Sequence, residues 1–143
     1  MRLAASLLIA LLGLGCAQET GRLNADQEGR LAAQGITRRA NNLTFRHTRG
    51  AGARWDPVRA SIVVTRRAIL IHRNGEIEFL YEPRSRRRCE VHRDHERVRV
   101  SAGSGQSAEA WSFAPPDDPQ GWAVDIRRAL RGSNGTIEPS SAP

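Results

Sequence analysis

The sequence predicts a mainly β domain finished by one C-terminal α-helix, and three observations predict it. From residue 43 onward, apolar residues recur at every second position in short runs, the period of half-buried strands. An Asn74-Gly75 dipeptide stands between two of these runs, and it is the strongest short-range hairpin signal because both turn positions favour positive φ. Beyond Pro115-Pro116 the period changes, with Trp122, Ile126 and Leu130 recurring every four residues along one helical face.

Taken in chain order, residues 1–15 read as an export signal. Arg2 is a short positive start, and the stretch 3–14 is apolar, free of charge and too short to span a bilayer as a stable helix. Gly13-Leu14-Gly15-Cys16 resembles a bacterial lipobox, and that resemblance implies a Cys16 whose sulfur is acylated and which becomes the first mature residue. The alternative is ordinary cleavage after Ala17, with Gly15 and Ala17 as the two small residues. The first outcome anchors the protein to a cell-envelope membrane, facing the periplasm, and the second leaves it periplasmic or secreted. One acyl chain holds a protein marginally, whereas several hold it firmly.

Residues 16–42 are polar and interrupted by glycine, without a sustained apolar stripe, and are expected to form a flexible tether. The domain is expected over 43–131. Its strands are 43–47, the β-branched run 60–65, the hairpin arms 68–73 and 76–81, then alternating runs around Cys89 and Val91, Val98 and Val100, and Trp111 and Phe113. In the second hairpin arm, Ile77, Phe79 and Tyr81 share one face and Leu80 falls on the other. Asp117 or Asp118 is suited to cap a helix over about 118–131, with Pro119 in its first turn and Gly132 at its end. Residues 132–143 have no core-forming content and read as a disordered tail.

Seven short strands and a terminal helix resemble the bacterial form of the pleckstrin-homology type of domain, which is also similar to GRAM modules. The residues that carry the resemblance are Val63-Val64-Thr65 leading into Ala68-Ile69-Leu70-Ile71, the Asn74-Gly75 turn, Trp111-Ser112-Phe113, and the helix with Trp122, Ile126 and Leu130. It implies a small seven-stranded bent barrel or sandwich with the helix plugging one end. No headgroup-binding motif of that family stands in this sequence, so no functional residue is carried over.

All 22 basic residues are arginine, against 15 acidic ones, for a formal net charge of +7. The densest cluster is 84–99, RSRRRCEVHRDHERVR, with seven arginines against three acids. Arg84, Arg86, Arg87, Arg88 and Arg93 form a candidate anion-binding face, because guanidinium groups present paired donors to phosphate and carboxylate. An anionic envelope component or another envelope protein is the partner this implies. No aromatic residues interleave to stack bases, so nucleic acid is not an expected partner.

His92 and His95, with Asp94 and Glu96, are metal-ligand types, and they motivate the alternative of a metal-binding protein or metal-dependent hydrolase. The spacing is not that of the helical His-Glu-x-x-His, and a turn between strands is the expected setting. Cys89 alternates with Val91 and is expected to point inward, although the neighbouring arginines would favour a thiolate. Gly103 and Gly105 lack the Gly-Lys-Ser/Thr of a phosphate loop, and no serine sits in a Gly-x-Ser-x-Gly elbow. Trp55, in a glycine-rich loop, is expected to fold over the barrel mouth. With no complete catalytic set and no cofactor motif, the sequence points to a binding or adaptor module rather than an enzyme.

Overall fold

The alternating runs form one antiparallel sheet. A computed structural model describes residues 22–50, 55–82, 85 and 87–132. Helix α1 (Ala25–Ala33) precedes seven strands: β1 (Ile36–Arg49), β2 (Asp56–Thr65), β3 (Ile69–Arg73), β4 (Glu76–Tyr81), β5 (Cys89–Asp94), β6 (Arg97–Ala102) and β7 (Glu109–Phe113). Helix α2 (Pro119–Arg131) follows. The export signal, Cys16 and residues 133–143 lie outside the described residues.

The strand order is β4-β3-β2-β1-β7-β6-β5, two meanders joined where the end of β1 pairs with β7. The sheet curls into a half-barrel. Its edges are β4 and β5, neighbours in sequence, and the C-terminal helix packs on it, in keeping with the mainly β fold with one terminal helix that the sequence predicts.

The expectation of a tether up to residue 42 is overturned. Asn24 caps α1 through a reciprocal box, its Oδ1 accepting from the Gln27 N–H at 2.8 Å while Gln27 Oε1 accepts from the Asn24 N–H at 3.0 Å. Gly35 then turns the chain at φ 72°, a left-handed conformation that suits glycine, and β1 starts at Ile36. The strand is 14 residues long and bulged between Ala40 and Leu43, where Asn42 takes φ 56°. The bulge bends it, so that it pairs with β2 along most of its length and with β7 over its last four residues. Its first half has no apolar alternation, and only Ala40 is buried there.

The half-barrel has two apolar faces. On the concave face, Phe45, Ile62, Ile69, Ile71, Val98 and Val100 pack with the α2 residues Trp122, Ile126 and Ala129, all fully buried. On the convex side, α1 and the segment before it cover β2 to β4, where Leu23 and Leu31 pack on Val63, Leu70 and Leu80. Leu80 thus faces the opposite way from Phe79 and Tyr81, as its alternation predicts. Ile77 does not join them: the β3–β4 register shifts between Ile71 and His72, and Ile77 is left exposed.

Helix α2 is fixed at its N-terminal end and in the middle. Asp118 accepts from the Gly121 N–H at 2.9 Å as the cap, and Asp117 accepts from the Trp122 indole N–H at 3.2 Å. Arg38 of β1 clasps the helix: its Nε donates to Asp125 at 2.7 Å and its Nη2 to Asp118 at 3.3 Å, with the guanidinium 5.9 Å from the Trp122 ring centroid. The Asn74-Gly75 turn has the expected positive φ values of 53° and 78°.

Under α1, His72 is buried beside the Arg39–Glu28 ion pair, which joins β1 to α1 at 2.6 Å. Its Nδ1 has no hydrogen-bond partner. Burial, reinforced by the Arg39 charge, holds its pKa below the usual 6.5. The folded chain therefore carries a neutral imidazole that the unfolded chain would protonate on acidification. Stability is full above pH 6.5 and falls as the pH drops below it, with a limiting slope of about 1.4 kcal/mol per pH unit. Thermal melting between pH 7 and 5 should show that loss, and His72→Leu should flatten it. Trp122→Ala should lower stability by about 3–5 kcal/mol by emptying the centre of the helix–sheet contact; an unchanged melting temperature would contradict the packing described.

Candidate functional site

The two ends of the concave face differ. Apolar residues from α2 fill one end. At the other, the strands run past the helix and polar side chains take over along the same alternation. The inward sequence on β1 is Phe45, His47, Arg49, and on β2 it is Val58, then Asp56. Arg73 ends β3, Glu78 lies at the shifted β4 register, and Trp111 and Glu109 begin β7. Together His47, Arg49, Asp56, Val58, Arg73, Glu78 and Trp111 line an open cleft of about 420 Å³.

An aromatic series connects the helix to this cleft. Trp122 meets Phe113 edge-on at 5.5 Å, Phe113 meets Phe45 at 5.1 Å, and Phe45 meets Trp111 edge-on at 5.7 Å. Trp111 then stacks on the cleft residue His47 at 3.8 Å. These are favoured aromatic geometries, and each contributes roughly 0.5–1.5 kcal/mol beyond area burial.

Glu109 anchors the polar end. Its carboxylate accepts from the Trp111 indole at 2.9 Å, lies 3.2 Å from His47 Nε2, and accepts from Arg87 at 3.3 Å. Glu78 pairs with Arg73 at 2.8 Å and lies 3.8 Å from Arg49. Asp56, paired with His47 in the β1–β2 ladder, is exposed, and its carboxylate has no hydrogen-bond or ion-pair partner among the described residues. The cleft thus offers two arginines, an unpaired carboxylate and an imidazole held in orientation. That set suits a small polar ligand with an acidic group.

The arginines singled out in the sequence are dispersed rather than gathered. Arg84 and Arg86 lie outside the described residues. Arg87 turns to Glu109, Arg88 pairs with Glu90 at 3.0 Å, and Arg93 donates to the His95 carbonyl at 3.1 Å. His92 and His95 are largely exposed, each next to a single carboxylate at 3.6 Å, and His95 occupies the β5–β6 turn at φ 50°. Among the described residues no three histidine, cysteine, aspartate or glutamate side chains come together as a metal site.

Cys89 is half-buried against the concave core. Burial pushes its thiol pKa up to about 12, outweighing the nearby Arg87 charge, so the thiol stays protonated at neutral pH. Trp55 does not fold over the mouth. It is 39% exposed and stacks with Arg99, 5.4 Å from its guanidinium, on the outward side of β6.

Sequence reasoning missed His47, Asp56, Glu78 and Glu109. Each is an isolated polar residue within or beside a short strand, and their convergence depends on the curl of the sheet. The signal available was Trp111 following Glu109 at i+2, a same-face pair on a strand. No protein-family model matches the chain, and no curated protein matches it.

Glu109→Ala leaves a buried indole N–H without an acceptor and should cost about 1–3 kcal/mol. Glu109→Gln keeps an acceptor oxygen and should cost less. Chemical denaturation of the two variants checks this order, and equal losses would contradict the role given to the carboxylate.

Proposed function

We propose that this protein is a non-catalytic binding module of the cell envelope, held at a membrane by an acylated Cys16, with the cleft at the helix-free end of the half-barrel as its ligand site. The observation that carries the reading is the division of the concave face into a packed apolar end and an open polar end. Packing by α2 makes the scaffold rigid, and a rigid scaffold binds with less ordering cost. Pockets of this kind combine an apolar floor with a few polar groups that set orientation, here Val58 and Trp111 beneath Arg49, Arg73 and Asp56.

The leader supports the envelope location, and the strand order with its terminal helix supports the resemblance to pleckstrin-homology-type domains. The cleft favours a small polar ligand carrying a carboxylate or phosphate for Arg49 and Arg73 and a donor for Asp56. His92 and His95 contribute nothing to this cleft.

Two measurements test the proposal. Cys16→Ser should move the protein from the membrane to the soluble fraction; a wild type that is already soluble rules out the anchor. Native mass spectrometry of protein extracted from its own envelope should show a bound small molecule, and Val58→Trp, which fills the cleft, should abolish it while the fold persists. A wild-type protein that carries no small molecule, or one unaffected by Val58→Trp, contradicts the binding site.

A further inference from the structure

Among the described residues, neither helix packs on the outward face of β6, β7 and the last residues of β1, and that face has an unusual charge arrangement. The outward residues of β7 are small, Ala110 and Ser112. Arg46 of β1 stands directly opposite Ser112 on one side, and Arg99 of β6 stands opposite it on the other. Strands lie about 4.8 Å apart, so the two arginines flank a trough two strand spacings wide with a serine floor. Arg97 joins from the same strand as Arg99, donating from Nε to Ser112 Oγ at 3.1 Å and from Nη2 to the Ser112 carbonyl at 2.8 Å. Ser112 is buried between the facing stems of Arg46 and Arg99 and under the Arg97 guanidinium that bonds it.

The charge in this trough is not balanced. Arg38, Arg39, Arg73, Arg87, Arg88 and Arg128 each lie 3.3 Å or less from a carboxylate oxygen. Among the described residues, Arg46, Arg97 and Arg99 have no carboxylate within 4.0 Å. Arg97 is also half-buried, and burial together with the charge of Arg46 disfavours its protonated form. Holding like charges together without a counter-charge is unfavourable, and a bound anion relieves it. Trp55 stacks with the Arg99 guanidinium and fixes one wall.

We infer that the trough formed by Arg46, Arg97, Arg99 and Ser112 on the convex face binds the phosphate group of a soluble phosphate monoester, at a site separate from the concave cleft. Guanidinium groups converging from two walls match a tetrahedral dianion better than a single carboxylate, and the three remaining sources of donors are the free edges of Arg46, Arg97 and Arg99. The site does not depend on the proposed cleft or on the anchor.

The test is titration of the isotope-labelled full chain with inorganic phosphate and with glycerol phosphate, followed by nuclear magnetic resonance. The expected result is saturable shifts at the Ser112 amide, the Arg97 Nε–H and the Trp55 indole, weakening as salt is added. Arg46→Gln and Arg99→Gln remove exposed guanidiniums that make no hydrogen bond to described residues, so the fold should persist. Each should weaken binding about tenfold or more, the loss expected for one charge-assisted hydrogen bond. Absence of saturable binding, binding unchanged in both variants, or binding to phosphatidylglycerol vesicles without binding to soluble phosphate would each overturn the inference. Shifts confined to the Arg49–Arg73 cleft would do the same and would assign phosphate to the concave site instead.

Discussion

A curled sheet with two free edges presents an apolar concave face that it cannot bury by itself, and the contact between that face and α2 is what the rest of the structure depends on. Trp122, Ala123, Ile126, Ala129 and Leu130 bring the missing surface. Each large apolar side chain buried this way contributes roughly 1.5–3 kcal/mol, a substantial part of the total for a domain of this size. Arg38 adds direction to this non-directional force, since its bonds to Asp118 and Asp125 set where the helix lies along β1. The aromatic series from Trp122 to His47 then carries the packing to the edge of the cleft, so the polar residues there stand on a fixed base.

The strands and the helix were legible in the sequence because burial on one face leaves a period in the chain. The seven strands and the inward set of α2 follow from that period, the turn from the Asn74-Gly75 dipeptide, and the helix start from the Asp117–Asp118 pair before Pro119. The segment 22–42 was not legible. Leu23 and Leu31 are its two apolar contributions to a small second core, too few to form a stripe, and the first half of β1 carries arginines that reach across to α2 and α1. Strand formation there is imposed by pairing with β2, a tertiary effect that local pattern does not encode. The candidate site was harder still. The sequence draws attention to the run of arginines after residue 84, yet the three described arginines between 87 and 93 are all engaged: Arg87 and Arg88 with carboxylates, Arg93 with a carbonyl. The arginines that face each other unpaired, Arg46 with Arg97 and Arg99, are 51 or more positions apart in the chain, and strand order alone brings them together.

The arginines thus divide by setting rather than by density. Those beside acidic neighbours act as clasps between elements, as Arg38 does for α2 and Arg39 for α1. Those on the convex face beside β7 have small neighbours and, among the described residues, no counter-charge, a setting that suits an anion. The concave cleft is different again, with cations and carboxylates side by side. One scaffold therefore offers two polar surfaces on opposite faces of the same strands, and both rest on the helix that holds the curl.

Amide hydrogen exchange tests that dependence most directly. If α2 holds the half-barrel together, its central amides, from Trp122 to Leu130, exchange only through global unfolding and match the slowest amides of β1, β2 and β7. A helix that exchanges far faster than those strands, while they keep full protection, would contradict it, because the sheet would then hold its form without the helix.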